Sequence, residues 1–220
     1  MTPPHPINRL PSQETALQVF QAQGGVLRMA NALKQGIHRA TLYKLLEDGL
    51  IERMGRGLYR LSGAAPLQNP DLVAVAKRIP QGVICLVSAL AFHDLTLQIP
   101  HAIDVATPRN AEPPRLDYPP VRIFRFSAAA FSAGIEVHET DGVGVRVYCR
   151  EKTLADCFKY RNKIGTDTVL EALRLYKEKH RFEVEVLLKY AEICRVAKVM
   201  RPYLEAMLLR SLDAIATIRF

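Results

Sequence analysis

The 220-residue sequence predicts an α+β fold, and three observations lead there. The stretch from Leu27 to Leu61 reads as helix, short turn, helix, then an arginine-dense two-stranded ribbon. Asp141-Gly142 sits between two alternating segments as a hairpin turn. From Lys152 onward apolar residues recur at helical spacing. A helical head with a ribbon, then strands, then helices, belongs to the α+β class.

Taken in order, residues 1–11 carry early prolines and no periodicity, which predicts a flexible lead. Ser12 is placed to cap a first helix whose Ala16, Leu17, Val19 and Phe20 face inward, ending near Gly24 and Gly25. Leu42, Leu45 and Leu46, at i, i+3, i+4, put one apolar stripe on a helix from His38 to Asp48. Gly36 lies in the turn between Leu33 and Ile37, and Gly49 stops the second helix. Leu50–Arg53 and Leu58–Leu61 then pair across Met54, Gly55, Arg56 and Gly57. Residues 12–63 thus read as a winged helix-turn-helix, and the small, proline-marked residues 64–70 as a linker.

Residues 71–220 form a second domain of strands followed by helices. Asp71–Ile79 patterns as a helix and Val83–Val87 as a strand, with Ser88 as cap of the helix that follows. Ile103–Thr107 and Val121–Phe126 are extended and separated by a proline-rich loop. Ile135–Thr140 and Val143–Tyr148 flank the Asp-Gly turn, with Val143, Val145 and Val147 on one face. Helices are expected over Thr153–Arg161, Asp167–Lys179, Glu183–Cys194 and Val199–Leu209.

The net charge is +8, and its distribution matters more than its size. Eight basic against four acidic residues give +4 over 1–63, while 64–148 carries −1 and 149–220 carries +5. Basic ends around a neutral middle favour a nucleic-acid partner. Cys85, Cys149, Cys157 and Cys194 are widely spaced with no C-x-x-C pair, and read as reduced core thiols of a cytoplasmic protein. The polar, proline-rich N-terminus does not read as a signal peptide, and no apolar run is long enough to span a membrane.

On the helix from His38, successive residues about 100° apart set Ala40, Tyr43, Lys44 and Glu47 opposite the leucines, with His38 and Arg39 at its start. A helix in the major groove offers its N-terminal residues to base edges, where arginine bonds guanine and alanine meets a thymine methyl. Thr41 and Tyr43 are within reach of phosphates. The ribbon adds Arg53, Arg56 and Arg60, with Arg56 between glycines at a tip suited to a minor groove or to the backbone. A second basic surface is expected around Arg150, Lys152, Lys159, Arg161 and Lys163.

Catalytic chemistry finds little support. No acidic residue is followed two positions later by lysine, and phosphate-loop, zinc-protease and nucleophile-elbow motifs are missing. His93 and Asp94, with His101 approaching across a loop, are the one conceivable acid-base or metal group. No catalytic residue, metal or cofactor is expected.

The whole pattern resembles the AbiEi family, antitoxins and transcriptional autorepressors of type IV toxin-antitoxin systems associated with abortive infection. The carrying segments, in order, are GIHRATLYKLLEDGLIERMGRGLYRL, CLVSALAFHDLTLQIP, VATPRN, YCREKTLADCFKYRNKIG and TVLEAL. The resemblance implies a winged helix that binds double-stranded DNA at inverted repeats in its own promoter. It also implies a C-terminal domain that opposes a nucleotidyltransferase toxin without a stable complex. It carries DNA contacts onto Arg28, His38, Arg39, Thr41, Lys44, Arg53, Arg56 and Arg60, and a second-domain signature onto Lys152, Asp156, Lys159, Tyr160 and Arg161. Two other readings stay open: a nucleic-acid-processing enzyme with its active site in residues 70–220, and a protein-interaction module that sequesters a toxin. With no heptad seam, the expected state is a monomer in solution that gathers on DNA.

Overall fold

The computed structural model describes residues 13–112 and 116–217, with side chains described as far as Leu209. Ser12 and the lead 1–11 lie outside these residues. The chain is α+β and divides into two compact units. The first takes in residues up to Pro80 together with 116–119 and 139–145, and the second takes in the rest.

In the first unit, α1 (Gln13–Ala22), α2 (Met29–Lys34) and α3 (Arg39–Glu47) surround a core of Phe20, Leu27, Ile37, Leu42, Leu45, Ile51 and Tyr59. The turn between α2 and α3 follows from Gly36, whose φ of +82° lets the Ile37 N–H return to the Ala32 carbonyl at 3.0 Å and satisfy a helix-end acceptor. Leu50 N–H closes α3 in the same way on Leu45 O at 2.9 Å. β2 (Ile51–Gly55) and β3 (Leu58–Leu61) form the expected ribbon, with Glu52 opposite Arg60 and a bulge between Arg53 and Gly55. A third strand joins them. β1 (Val26–Arg28) pairs antiparallel with β3, Leu27 opposite Tyr59, so the order is β1-β3-β2. Leu27, read from sequence as the start of a helix, is therefore in a strand, and α2 begins at Met29.

α4 (Pro70–Arg78) starts with proline at its first turn, where no amide partner is needed, and buries Leu72, Val73, Ala74 and Val75. Val73 and Ala74 join Val26, Leu58 and Val143 in a second small core.

The other unit is built on a five-stranded sheet of order β6-β5-β4-β8-β7, except that the 139–145 tip of its last hairpin is counted in the first unit. Its strands are β4 (Val83–Ile84), β5 (Ile103–Pro108), β6 (Val121–Phe126), β7 (Ile135–Thr140) and β8 (Val143–Tyr148). β5 and β6 run parallel, Ile103 opposite Val121, as do β4 and β8, while β4 and β5 are antiparallel. The β7–β8 turn is the expected two-residue hairpin, with φ of +51° at Asp141 and +73° at Gly142.

β4 is shorter than expected because α5 (Leu86–Phe92) begins at once, with Cys85 as its cap residue. Ser88 does not cap this helix. It lies inside α5, where its hydroxyl accepts the Asp104 N–H at 2.9 Å. The capping role falls to Asp104 on β5, fully buried, which accepts the Val87 N–H at 3.2 Å and is gripped by Arg122 at 2.6 and 2.9 Å. Burial pushes the Asp104 carboxyl pKa up, against the pull of Arg122.

A short α6 (Ala128–Ser132) precedes β7, and the remaining chain is helical: α7 (Arg150–Lys159), α8 (Arg161–Ile164), α9 (Thr166–Lys179), α10 (Val184–Ile193) and α11 (Ala197–Thr217). Residues Lys152 to Phe158 of α7 are buried without a break. A helix hidden on all sides is a core helix. Leu154 and Phe158 pack among Leu173, Tyr176, Leu187, Met200 and Leu204 from the later helices. All four cysteines are buried and unbridged. No described helix is long and apolar enough to cross a membrane.

A candidate nucleic-acid interface

The first unit presents α3 outward with the polarity its sequence predicts. Leu42 and Leu45 are inside, while His38, Arg39, Ala40, Tyr43 and Lys44 are exposed and Thr41 is half-buried. The cap residue His38 has an extended backbone, φ −72° and ψ 152°, so the first turn of α3 projects its amides and side chains together.

Beside α3, the wing and α2 enclose an open cleft of about 670 Å³ lined by Arg28, Arg39, Arg53, Arg56 and Arg78, with Tyr43 and Tyr59 among them. No acidic side chain lines it among the described residues. Arg53 lies over the Tyr59 ring at 5.9 Å, which braces an exposed guanidinium on a buried aromatic. The Arg39 and Arg56 guanidiniums have no protein partner among the described residues. Such a row of cations around an open groove has the charge to attract polyanions.

Three other residues expected to contact DNA are engaged within the protein. Lys44 pairs with Asp48 at 3.0 Å and Glu47 at 3.4 Å, and these carboxylates hold its pKa up; the ammonium stays largely exposed, so the pairs are weak. Arg60 donates to the carbonyls of Ala64 and Ala65 at 2.7 and 2.9 Å and approaches Glu52 at 3.4 Å, tying the wing to the segment after it. Arg28 reaches the carbonyls of Lys77 and Arg78 at 3.4 and 3.3 Å, at the end of α4. Burial, and then the neighbouring Arg78, lower the Arg28 pKa. Sequence alone does not mark Arg78, because it lies beyond the winged segment, on a helix whose pattern speaks only of packing.

The second basic surface does not exist as one surface. Lys152, expected on it, is fully buried against Asp156 at 2.5 Å, with its ammonium 4.0 Å from the centre of the Tyr148 ring. Arg161 is half-buried and donates to the Phe158 carbonyl at 2.9 Å. Arg150, Lys159 and Lys163 are exposed, but Arg150 lines a depression with His93 and His138 whereas Lys163 lines another with His101 and Arg122.

That separation also removes the expected pairing of His93 with His101. His93 is buried, donates from Nε2 to the Tyr148 carbonyl at 2.7 Å, and has its pKa lowered by burial; its ring neighbours are Phe92 at 5.3 Å and His138 at 6.0 Å. Among the described residues no three His, Cys, Asp or Glu side chains form a metal-holding group.

Residues 14–62 match a family described as transcriptional regulator, AbiEi antitoxin. The match spans α1 to the end of the wing. No curated protein matches the chain. Among solved structures, the RV2827C protein from Mycobacterium tuberculosis is similar with a TM-score of 0.47 and 14% identity, over 86% of this chain and 80% of that one, a likeness too loose to bear on function.

Proposed function

We propose that the chain, whose residues 14–62 match the AbiEi antitoxin family of transcriptional regulators, is a sequence-specific DNA-binding autorepressor with antitoxin activity. The observation that carries this reading is the acid-free cleft with five arginines beside the exposed face of α3. We assign DNA binding to residues 12–63 and antitoxin activity to 71–220.

In this reading α3 enters the major groove. His38, Arg39 and Ala40 meet base edges, while Thr41, Tyr43 and Lys44 meet the sugar-phosphate backbone. Arg53 and Arg56 grip the flanking backbone or minor groove. Arg60 positions the wing through its carbonyl contacts, and Arg28 lines the cleft beside it. The target is double-stranded DNA at inverted repeats of its own promoter, bound by monomers that gather on the site, and the protein acts in the cytoplasm. As the antitoxin of a type IV system it opposes a nucleotidyltransferase toxin without a stable complex. The resemblance of the second-domain segments to the AbiEi family supports that part.

The division of labour is tested with Arg39→Ala and Arg56→Ala on the promoter and on a length-matched random duplex. Arg56→Ala weakens both equally. Arg39→Ala costs about 1–3 kcal/mol of discrimination at the bases it reads. Equal losses on both duplexes from both variants refute it.

A further inference from the structure

Arg78 lies outside the winged segment, at the last position of α4, yet its side chain lines the same cleft as Arg39, Arg53 and Arg56. We infer that Arg78, beside Arg28, forms a phosphodiester-binding site at the base of the wing, so that a duplex seated on α3 is also gripped by α4. This deepens the DNA-binding reading and rests on it.

Two guanidiniums stand together here with no carboxylate in the cleft among the described residues. Like charges so placed repel, and an anion between them turns that repulsion into attraction. The local contacts leave both cations under-satisfied. Arg28 makes two long bonds, at 3.4 and 3.3 Å, to the carbonyl end of α4, and its buried Nε has no acceptor. Arg78 donates from Nη1 to the Arg56 carbonyl at 2.6 Å, and its other N–H groups have no partner among the described residues. A guanidinium fork with free donors matches two phosphate oxygens.

The neighbouring Lys77 is excluded from the role. Its ammonium is committed to the Gln23 carbonyl at 2.7 Å, and burial lowers its pKa. That bond fixes α4 against the end of α1, and the Met29 N–H holds the wing through the Gly57 carbonyl at 2.9 Å. Both bonds tie the flanks of the site in place, which limits the ordering cost of binding.

The test measures binding of Arg78→Ala, Arg78→Gln and Arg78→Lys proteins to promoter and random duplexes across a chloride series, with melting curves confirming folding. Loss of one phosphate contact makes the slope of log K against log salt shallower by about 1, and weakens both duplexes alike by up to about tenfold. Arg78→Ala and Arg78→Gln are expected to show this, and Arg78→Lys to restore the slope. If Arg78→Gln, which keeps a donor for the Arg56 carbonyl, retains the wild-type slope, Arg78 merely braces the wing and the inference is overturned. Wild-type protein that binds neither duplex overturns the DNA-binding reading and this inference with it. Binding by wild type with unchanged variants overturns the inference alone.

Discussion

Lys152→Met removes the cation from the centre of the second unit. The Lys152 side chain is 0% exposed and that of Asp156 1%, and the two charges meet at 2.5 Å. Among the described residues Asp156 has one further partner, the Cys194 thiol at 3.1 Å, so without Lys152 a buried carboxylate keeps only a weak donor. Breaking a buried pair on one side costs about 3–5 kcal/mol. That is a large share of the roughly 5–15 kcal/mol that holds a domain folded, and it lowers the melting temperature by roughly 10–15 °C. Urea denaturation followed by circular dichroism reads the loss. The double variant Lys152→Met with Asp156→Leu recovers most of it, because an apolar pair of similar volume avoids desolvating two charges.

The deficit also depends on pH. Burial already raises the Asp156 pKa, and removing Lys152 raises it further. A carboxyl whose folded pKa lies above its unfolded value makes the protein gain stability as pH falls through the folded pKa toward the unfolded one. The single variant therefore closes on wild type in acid, until other groups titrate. A loss below about 1 kcal/mol for Lys152→Met, or a double variant weaker than the single, would refute the reasoning.

Gly24→Ala places a methyl 2.0 Å from the Gly142 carbonyl oxygen, whereas Gly36→Ala meets nothing within 4 Å, although both have positive φ. Gly36→Ala should cost about 1–2 kcal/mol for the left-handed backbone, and Gly24→Ala more than that; equal costs in denaturant unfolding would count against the close approach. Asp104→Ala strands the Val87 N–H and the Arg122 fork, for a loss of about 2 kcal/mol by the same assay. Burial raises the Cys85 and Cys157 thiol pKa and pushes Cys194 up to about 12. A disulfide reagent should therefore label none of the four cysteines until urea unfolds the chain, and rapid labelling of native protein would contradict their burial.

The site and the fold were unequally visible in the sequence. The leucine stripe of α3 and the glycines around it specify both a buried face and an outward one, because helical period and helix-end geometry are local. The Asp141-Gly142 turn was legible for the same reason. β1 was not: Val26, Leu27 and Arg28 gain strand character only by pairing with Leu58, Tyr59 and Arg60. The parallel pairing of β5 with β6 is likewise set by partners remote in sequence. Lys152 and Asp156 stand four residues apart, the spacing of a solvated helix pair, and only the helices packed around α7 turn them into a core pair. Arg78 reads as the charged end of a packing helix, and the cleft it lines is assembled by the fold.

The most direct test of the central claim is equilibrium binding of the purified full chain to its own upstream promoter fragment and to a length-matched random duplex, across a salt series. A preference of about a thousandfold or more for the promoter is expected, persisting as salt rises while both affinities fall. Equal affinity for the two duplexes, vanishing together with salt, would contradict it.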